Sequence, residues 1–203
     1  MRKLQRKMKL VCGVGVNDAD YVVRPKGPDG KGRICAYYDV WRSMLTRAYC
    51  QKLQARQPTY IGVTVCEEWH SFMAFRAWME AQDWEGKQLD KDIIVPGNKV
   101  YSPATCAFVS REINMLLNDR AASRGEWPIG VYWHGASNKF RAQIKEDGEK
   151  RHLGSFDIPE AAHLAWRKAK VRIVRHAARE CDDPRVSTGL LRHSYRIEAG
   201  LAS

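Results

Sequence analysis

Lys139-Phe-Arg-Ala-Gln-Ile-Lys145, followed by Glu146-Asp-Gly-Glu149 and Lys150-Arg-His-Leu153, alternates apolar and polar residues on either side of a turn. Strand side chains point to opposite faces with a period of two, so Phe140, Ala142 and Ile144 share one face and Lys139, Arg141, Gln143 and Lys145 the other. One face is suited to a core and the other is cationic. Working outward, Ile129 to Trp133 gives an earlier strand across the turn residues His134-Gly-Ala-Ser-Asn138, and Lys150 to Leu153 gives a later one. The three predict an antiparallel meander. Asp157 and Pro159 then predict a helix start, and Ala161, Ala162, Ala165, Trp166, Ala169 and Ile173 supply a stripe of mainly small residues. Small side chains let that helix sit close on the apolar sheet face, which leaves the cationic face for a ligand. A cationic ribbon of two or three strands has the width to enter a DNA major groove.

The rest of the composition agrees with a polyanionic partner. Thirty-four Lys and Arg against 23 Asp and Glu give a formal charge of +11, with a pI near 9.5. A length of 203 residues allows one large domain or two small ones with separate cores. The six cysteines form no C-x-x-C pair and no Cys/His cluster of zinc spacing, so zinc is not expected and the thiols read as reduced and mostly buried. No stretch approaches the ~20 apolar residues of a membrane span, and the basic segment Met1 to Lys9 lacks the apolar run of a secretory signal. A cytoplasmic protein without a membrane partner is expected. Residues 1–10 form a basic arm, read either as a phosphate-gripping extension or as a solvated tail.

Residues 11–117 read as an α+β module. Val11 to Val23 is irregular strand and turn, and Arg24 to Gly32 is a loop rich in Gly and Pro. Tyr37, Trp41, Met44, Leu45 and Ala48 predict an amphipathic helix over 37–52, with Arg42 and Arg47 off the stripe. A strand is expected over Tyr60 to Val65 and a helix over Cys66 to Gln82, whose aromatics suit a core better than base stacking. Gln88 to Val95, Pro96-Gly97-Asn98 and Lys99 to Tyr101 together predict a β-hairpin, with Ser102-Pro103 capping a helical segment that carries Phe108, Ile113, Leu116 and Leu117. Polar residues 118–126 form the linker to a second module, 127–180, and 181–203 is a tail in which Asp182-Asp-Pro184 reads as a helix stop.

Ile129-Gly-Val-Tyr-Trp133, Lys139-Phe-Arg-Ala-Gln-Ile-Lys145 and His152-Leu-Gly-Ser-Phe-Asp157, followed by an Ala-rich helix, resemble the AP2/ERF DNA-binding domain over about fifty residues, with the elements in the family's order and spacing. The resemblance implies double-stranded DNA as partner and a reading surface on the three strands. By matching position that surface comprises Tyr132 and His134, then Lys139, Arg141, Gln143 and Lys145, then Lys150 and His152. Tyr132, His134 and His152 stand where the family commonly has arginine or tryptophan, so its recognised sequence does not carry over. On physical grounds Arg141 suits guanine and Gln143 suits adenine, while the lysines suit phosphates. Solvated side chains on an exposed sheet are the plain alternative.

Tyr38-Asp-Val-Trp-Arg-Ser-Met-Leu45, Val65-Cys-Glu-Glu-Trp69, Leu89-Asp-Lys-Asp-Ile93, Asn98-Lys-Val-Tyr-Ser-Pro103 and Cys106-Ala-Phe-Val-Ser-Arg-Glu-Ile-Asn114 resemble phage-encoded proteins of the HNH endonuclease group, which commonly join such a module to an AP2 domain. That resemblance implies a ββα module with flanking helices, one divalent metal and a histidine that activates water against a phosphodiester. The histidines are replaced. Asp90-Lys91-Asp92 stands at the first histidine, Thr105 at the middle asparagine and Asn114 at the last position. On one strand face Asp90 and Asp92, with Asn114, could offer oxygen ligands to Mg²⁺, or a buried aspartate could act as base. Equally, the aspartates could be solvent-facing or paired with Lys87, Lys91 or Arg111 in a scaffold without activity. His70, the one histidine before the linker, reads as a surface residue. A DNA endonuclease of the homing type and a non-catalytic DNA-binding regulator are therefore both open, and RNA binding is a third class that a major-groove ribbon fits less well.

Overall fold

The computed structural model describes residues 9–117 and 125–201, so most of the basic arm and of the linker lies outside the described residues. The chain divides into two compact units, Met1–Ser110 and Arg111–Ser203.

In the first unit, helix α1 (Ala36–Tyr49) forms because Trp41, Met44, Leu45 and Ala48 recur at helical spacing, and all four are buried. It stops three residues earlier than the sequence predicts. Cys50 is extended, and α2 (Gln51–Arg56) starts afresh beyond it. The Gln54 side chain stabilises the break by donating to the carbonyls of Ala48 (2.7 Å) and Tyr60 (3.2 Å). The expected strand over 60–65 shrinks to β1 (Thr64–Val65), because a 3₁₀ turn over Pro58–Tyr60 takes up its first residue.

The helix expected over 66–82 is two pieces, a 3₁₀ turn (Glu67–His70) and α3 (Phe72–Glu80). Ser71 separates them as N-cap. Its Oγ accepts from the Ala74 amide (3.1 Å) and donates to Asp18 (2.6 Å), whose other oxygen accepts from the Met73 amide (2.9 Å). Two amides that the helix leaves open are thus satisfied. Trp41, Trp69, Phe72, Phe75, Met79 and Tyr101 fill the core, tied by a bond from Trp41 Nε1 to the Trp69 carbonyl (2.8 Å).

The predicted hairpin does not form. Strand β2 (Gln88–Asp90) pairs antiparallel with β4 (Ala107–Val109), and β3 (Val100–Tyr101) pairs parallel with β1. The intervening 91–99 segment is closed by side chains: Lys91 Nζ donates to the Asn98 carbonyl (2.8 Å), and Asn98 Nδ2 to those of Lys91 (2.9 Å) and Val100 (2.6 Å). Core burial selects this pairing, which sets Leu89 against Phe108 and Val65 against Tyr101, all buried. Phe108 therefore lies on a strand, and helix α4 (Arg111–Leu117) begins only after it.

In the second unit, β5 (Val131–His134), β6 (Lys139–Glu146) and β7 (Glu149–Phe156) form the antiparallel sheet that the alternation predicts, in the order β5-β6-β7. Asp147 and Gly148 join β6 to β7 with φ of 50° and 85°, the backbone of a tight hairpin turn. Helix α5 (Pro159–Arg179) lies on one sheet face, with Trp166 and Ala169 packed against Ile144 and with Ala142 and Ala162 also buried. The close approach requires Gly130, where a Cβ would fall 2.0 Å from the Trp166 ring and φ is +77°. Ile158, not Asp157, occupies the N-cap of α5, and Asp157 pairs with Lys139 instead.

The tail differs most from expectation. Asp183 accepts from the Arg185 amide (2.8 Å) as N-cap, so Asp182-Asp-Pro184 starts a helix rather than ending one. Helix α6 (Pro184–Glu198) runs back along α5 with Val186, Leu190, Ser194 and Ile197 buried, and Arg167 donates to the carbonyls of Ile197 and Glu198 at its end. All six cysteines are free, but only Cys106 is fully buried. Among the described residues no helix is long and apolar enough to cross a membrane.

Candidate nucleic-acid interface

The eight residues singled out on the sheet face one another in four cross-strand pairs. Tyr132 lies opposite Arg141 and His134 opposite Lys139, while Gln143 lies opposite His152 and Lys145 opposite Lys150. Paired residues project from the same side of a sheet, so all eight share the face away from α5. The register depends on a β-bulge between Ala142 and Gln143. It makes Leu153 the extra residue of β7, packs Leu153 into the core beside Ile144 and Trp166, and brings His152 opposite Gln143. Simple alternation would have put Leu153 opposite Gln143 on the open face.

The face is cationic in detail. Lys145, Lys150 and His152 are exposed, and the other five are half-buried. None of the eight is a carboxylate. Glu146, the nearest acid on β6, projects to the α5 side, where the Arg172 hydrogen bond, with Arg151 beside it, holds its carboxyl below the usual range. Asp157 pairs with Lys139 (2.5 Å), and His134 Nδ1 lies 2.8 Å from Ser137 Oγ. Arg141 Nε is buried and lacks a hydrogen-bond partner among the described residues. Lys145 and Lys150, like charges directly opposite, repel each other until an anion joins them.

The Asp90, Asp92 and Asn114 set is not assembled as a strand face. Strand β2 ends at Asp90, and Asp92 lies in the bend that follows. Asp90 Oδ1 accepts from the amides of Asp92 (2.8 Å) and Ile93 (2.7 Å) and fixes that bend. Burial pushes its carboxyl up, against the pull of the two amides. Asp92 is held through both oxygens by the buried ammonium of Lys91, at 2.7 Å. Lys87 pairs with Asp83 instead. Asn114 stands on α4, in the second unit, and Thr105 donates to the Val100 carbonyl (2.7 Å). Among the described residues no group of three His, Cys, Asp or Glu is placed to hold a metal ion. An aspartate engaged by an ammonium and another turned to its own backbone do not form a shared oxygen cage for Mg²⁺.

Arg47 is the residue of this region that the sequence did not single out. Its guanidinium lies over the Tyr101 ring, 5.3 Å from the centroid, with Nε buried and without a partner among the described residues. Burial pushes the Tyr101 hydroxyl up and the Cys106 thiol up to about 12, so both stay neutral at ordinary pH. Nothing in the linear pattern beyond its place off the α1 stripe marks Arg47. His70 is half-buried and lies 3.4 Å from the Tyr49 hydroxyl, a packing role. No family model, no curated protein and no solved structure matches the chain.

Proposed function

We propose that this is a double-stranded DNA-binding protein that enters the major groove with the open face of β5–β7, as the AP2/ERF-like sequence pattern implies. The observation that carries the reading is the register: four cross-strand pairs gather four cations, two histidines, a tyrosine and a glutamine on one face without a carboxylate among them. Arg141 and Gln143 are centrally placed on the middle strand and can each make a bidentate contact to a purine edge. Lys139, Lys145 and Lys150 surround them and suit phosphates. The first unit, with its HNH-like sequence pattern, is then a partner module of phage type.

Selection from a random duplex library followed by titration at several salt concentrations tests this. The expected result is an enriched site and an affinity that falls steeply with salt. Arg141→Ala with Gln143→Ala abolishes preference for that site, whereas Lys145→Ala weakens all duplexes alike and lowers the salt slope by about one. Stronger binding to an RNA duplex, or sheet variants that bind like the wild type, overturns the reading.

A second reading, cleavage by the first unit with a divalent metal, is what the HNH-like sequence pattern implies; the half-buried Asp90 is its candidate base, although its Oδ1 is engaged by the amides of Asp92 and Ile93. Incubation of supercoiled and linear DNA with Mg²⁺, Mn²⁺ or EDTA tests it. Metal-dependent cutting that disappears in Asp90→Ala/Asp92→Ala establishes an enzyme of the homing-endonuclease type. Intact binding of the selected site without cutting establishes the non-catalytic regulator.

A further inference from the structure

Successive residues of an α-helix turn by about 100°, so the residues of α5 packed on the sheet, Trp166 and Ala169, leave Lys168, Arg172, Arg175 and Arg179 along a different flank of the helix. These four line a recess of about 460 Å³ beside α6 together with Leu164, Val171, Arg167 and Glu198. From Lys168 to Arg179 the helix rises about 16 Å. Lys168 with Arg172, and Arg175 with Arg179, are like charges one turn apart, an arrangement that destabilises a helix unless an anion lies beside it. The carboxylates already present do not neutralise the row. Glu198 meets Arg175 (2.6 Å) and Glu146 meets Arg172 (2.7 Å), while Lys168 and Arg179 have no ion-pair partner among the described residues. Arg175 is fixed further by Ser194 Oγ (3.3 Å) and by the Tyr195 ring (5.2 Å). A guanidinium held in place loses less freedom when it binds.

We infer that this side of α5 is a second phosphate-backbone site, through which one chain holds two DNA duplexes at once; the inference rests on the sheet being the first DNA face. Arginine forks match phosphate oxygens, and a straight row of cations suits a strand that carries one charge every ~3.4 Å of duplex axis. An acidic helical peptide suits the recess less well, because such partners need several apolar anchors and only Leu164 and Val171 among its lining residues are apolar. The row lies on the α5 side of the sheet, where Arg172 reaches Glu146 of β6, whereas the eight side chains of the first DNA face project from the opposite side. A duplex whose major groove is filled by the sheet therefore cannot also lie along the row, and the row takes a second segment.

The test is a bridging assay with the full chain. One biotinylated duplex is fixed on beads, a second fluorescent duplex is offered in solution, and affinity for a single duplex is measured separately by anisotropy. The wild type is expected to retain the fluorescent duplex on the beads. Lys168→Glu/Arg179→Glu is expected to reduce that retention at least tenfold while single-duplex affinity changes less than threefold, and Lys168→Arg/Arg179→Lys to retain it. Lys168→Gln/Arg179→Gln serves as a milder variant whose folding is checked by its helical circular dichroism. Wild-type chain that binds one duplex but captures no second overturns the second site and leaves the sheet reading intact. Retention undiminished in the Glu and Gln variants overturns it as well. So does capture of polyglutamate that the Glu variant abolishes when a second duplex is not captured. Failure to bind any duplex instead removes the sheet reading on which the inference rests.

Discussion

The two units solve the same folding problem with opposite resources. The first has a core of large aromatic side chains, Trp41, Trp69, Phe72, Phe75 and Tyr101, gathered from short elements whose strands span two or three residues. Its polar side chains are largely occupied in closing the backbone: Asp18 and Ser71 at the start of α3, Gln54 at the α1 break, and Asp90, Lys91 and Asn98 in the loop after β2. The second is built from longer regular elements on a core of mainly small and aliphatic side chains, Ala142, Ile144, Ala162 and Ala169 with Trp166 in the sheet layer and Val174, Val186, Leu190 and Ile197 on α5 and α6. Most of its backbone bonds are made by the sheet and helices themselves, and polar side chains close the backbone mainly at the ends of α5 and α6, through Asp183, Ser187 and Arg167. The polar side chains of the sheet face are free of that task because the ladder itself satisfies the backbone. In the first unit Asp90 and Asp92, two of the residues that resemble a catalytic set, are engaged in closing the loop after β2.

That contrast can be broken by experiments of decreasing size. Trp69→Ala should destabilise the first unit by about 3–5 kcal/mol, because a large buried aromatic leaves a cavity that the packed rings cannot fill. Hydrogen exchange should then show protection lost across 11–110 and retained in β5–β7. Equal loss in both regions would show that the two units share one folding transition. Gly130→Ala is the converse. A Cβ at 2.0 Å from the Trp166 ring, at φ +77°, forces the helix off the sheet and should lower stability by about 2–4 kcal/mol, read as lost protection in β6 and α5 only.

Removing Arg141 and Gln143 together should lower affinity for a selected site about a hundredfold, from ~1–3 kcal/mol of discrimination per bidentate contact, with the melting temperature little changed. A fall in stability of the same size would mark these side chains as structural, like their counterparts in the first unit. Asp183→Ala should cost about 1 kcal/mol through the lost cap of α6. The Arg185 hydrogen bond holds the Asp183 carboxyl below its unfolded value, so its contribution is complete above about pH 4 and lost as pH falls through the lower folded value.

The smallest effect separates the units by sign. Burial raises the Asp90 carboxyl, so its ionised form lowers stability above the folded pKa, and the penalty lifts as pH falls through it. Asp90→Asn, which keeps an oxygen for the two amides, should match or slightly exceed wild-type stability at pH 7 and lose the advantage in acid. Chemical denaturation of both proteins across pH 3–8 measures it. A larger loss at pH 7 than at pH 4 would show that the carboxylate charge, and not its hydrogen-bond geometry, is what the first unit uses.

Legibility followed regularity. The strands of the second unit and the stripe of α5 were readable because a two-residue or 3.6-residue period is imposed by one buried face. The helices of the first unit were readable in composition but not in extent, since the break at Cys50 is closed by the Gln54 side chain and the one at Ser71 by a bond to Asp18, more than fifty residues away. The hairpin failed for a related reason. A Pro-Gly-Asn turn permits two strands to pair but does not require it, and Leu89 buries more effectively opposite Phe108. Helix α6 escaped notice because Asp-Pro both ends and begins helices, and only a packed partner decides which.

The sequence by itself determined the cationic charge, the two-sided β6 strand and the small-residue stripe that lets α5 approach the sheet, since each depends on residue type and local period. Tertiary structure alone decided which strands of the first unit pair, where Asp90 and Asp92 point, which way the bulge turns Leu153 and His152, and that the row from Lys168 to Arg179 borders α6. Those outcomes depend on competition between distant partners for the same buried surface and the same hydrogen bonds, and no local pattern encodes its winner.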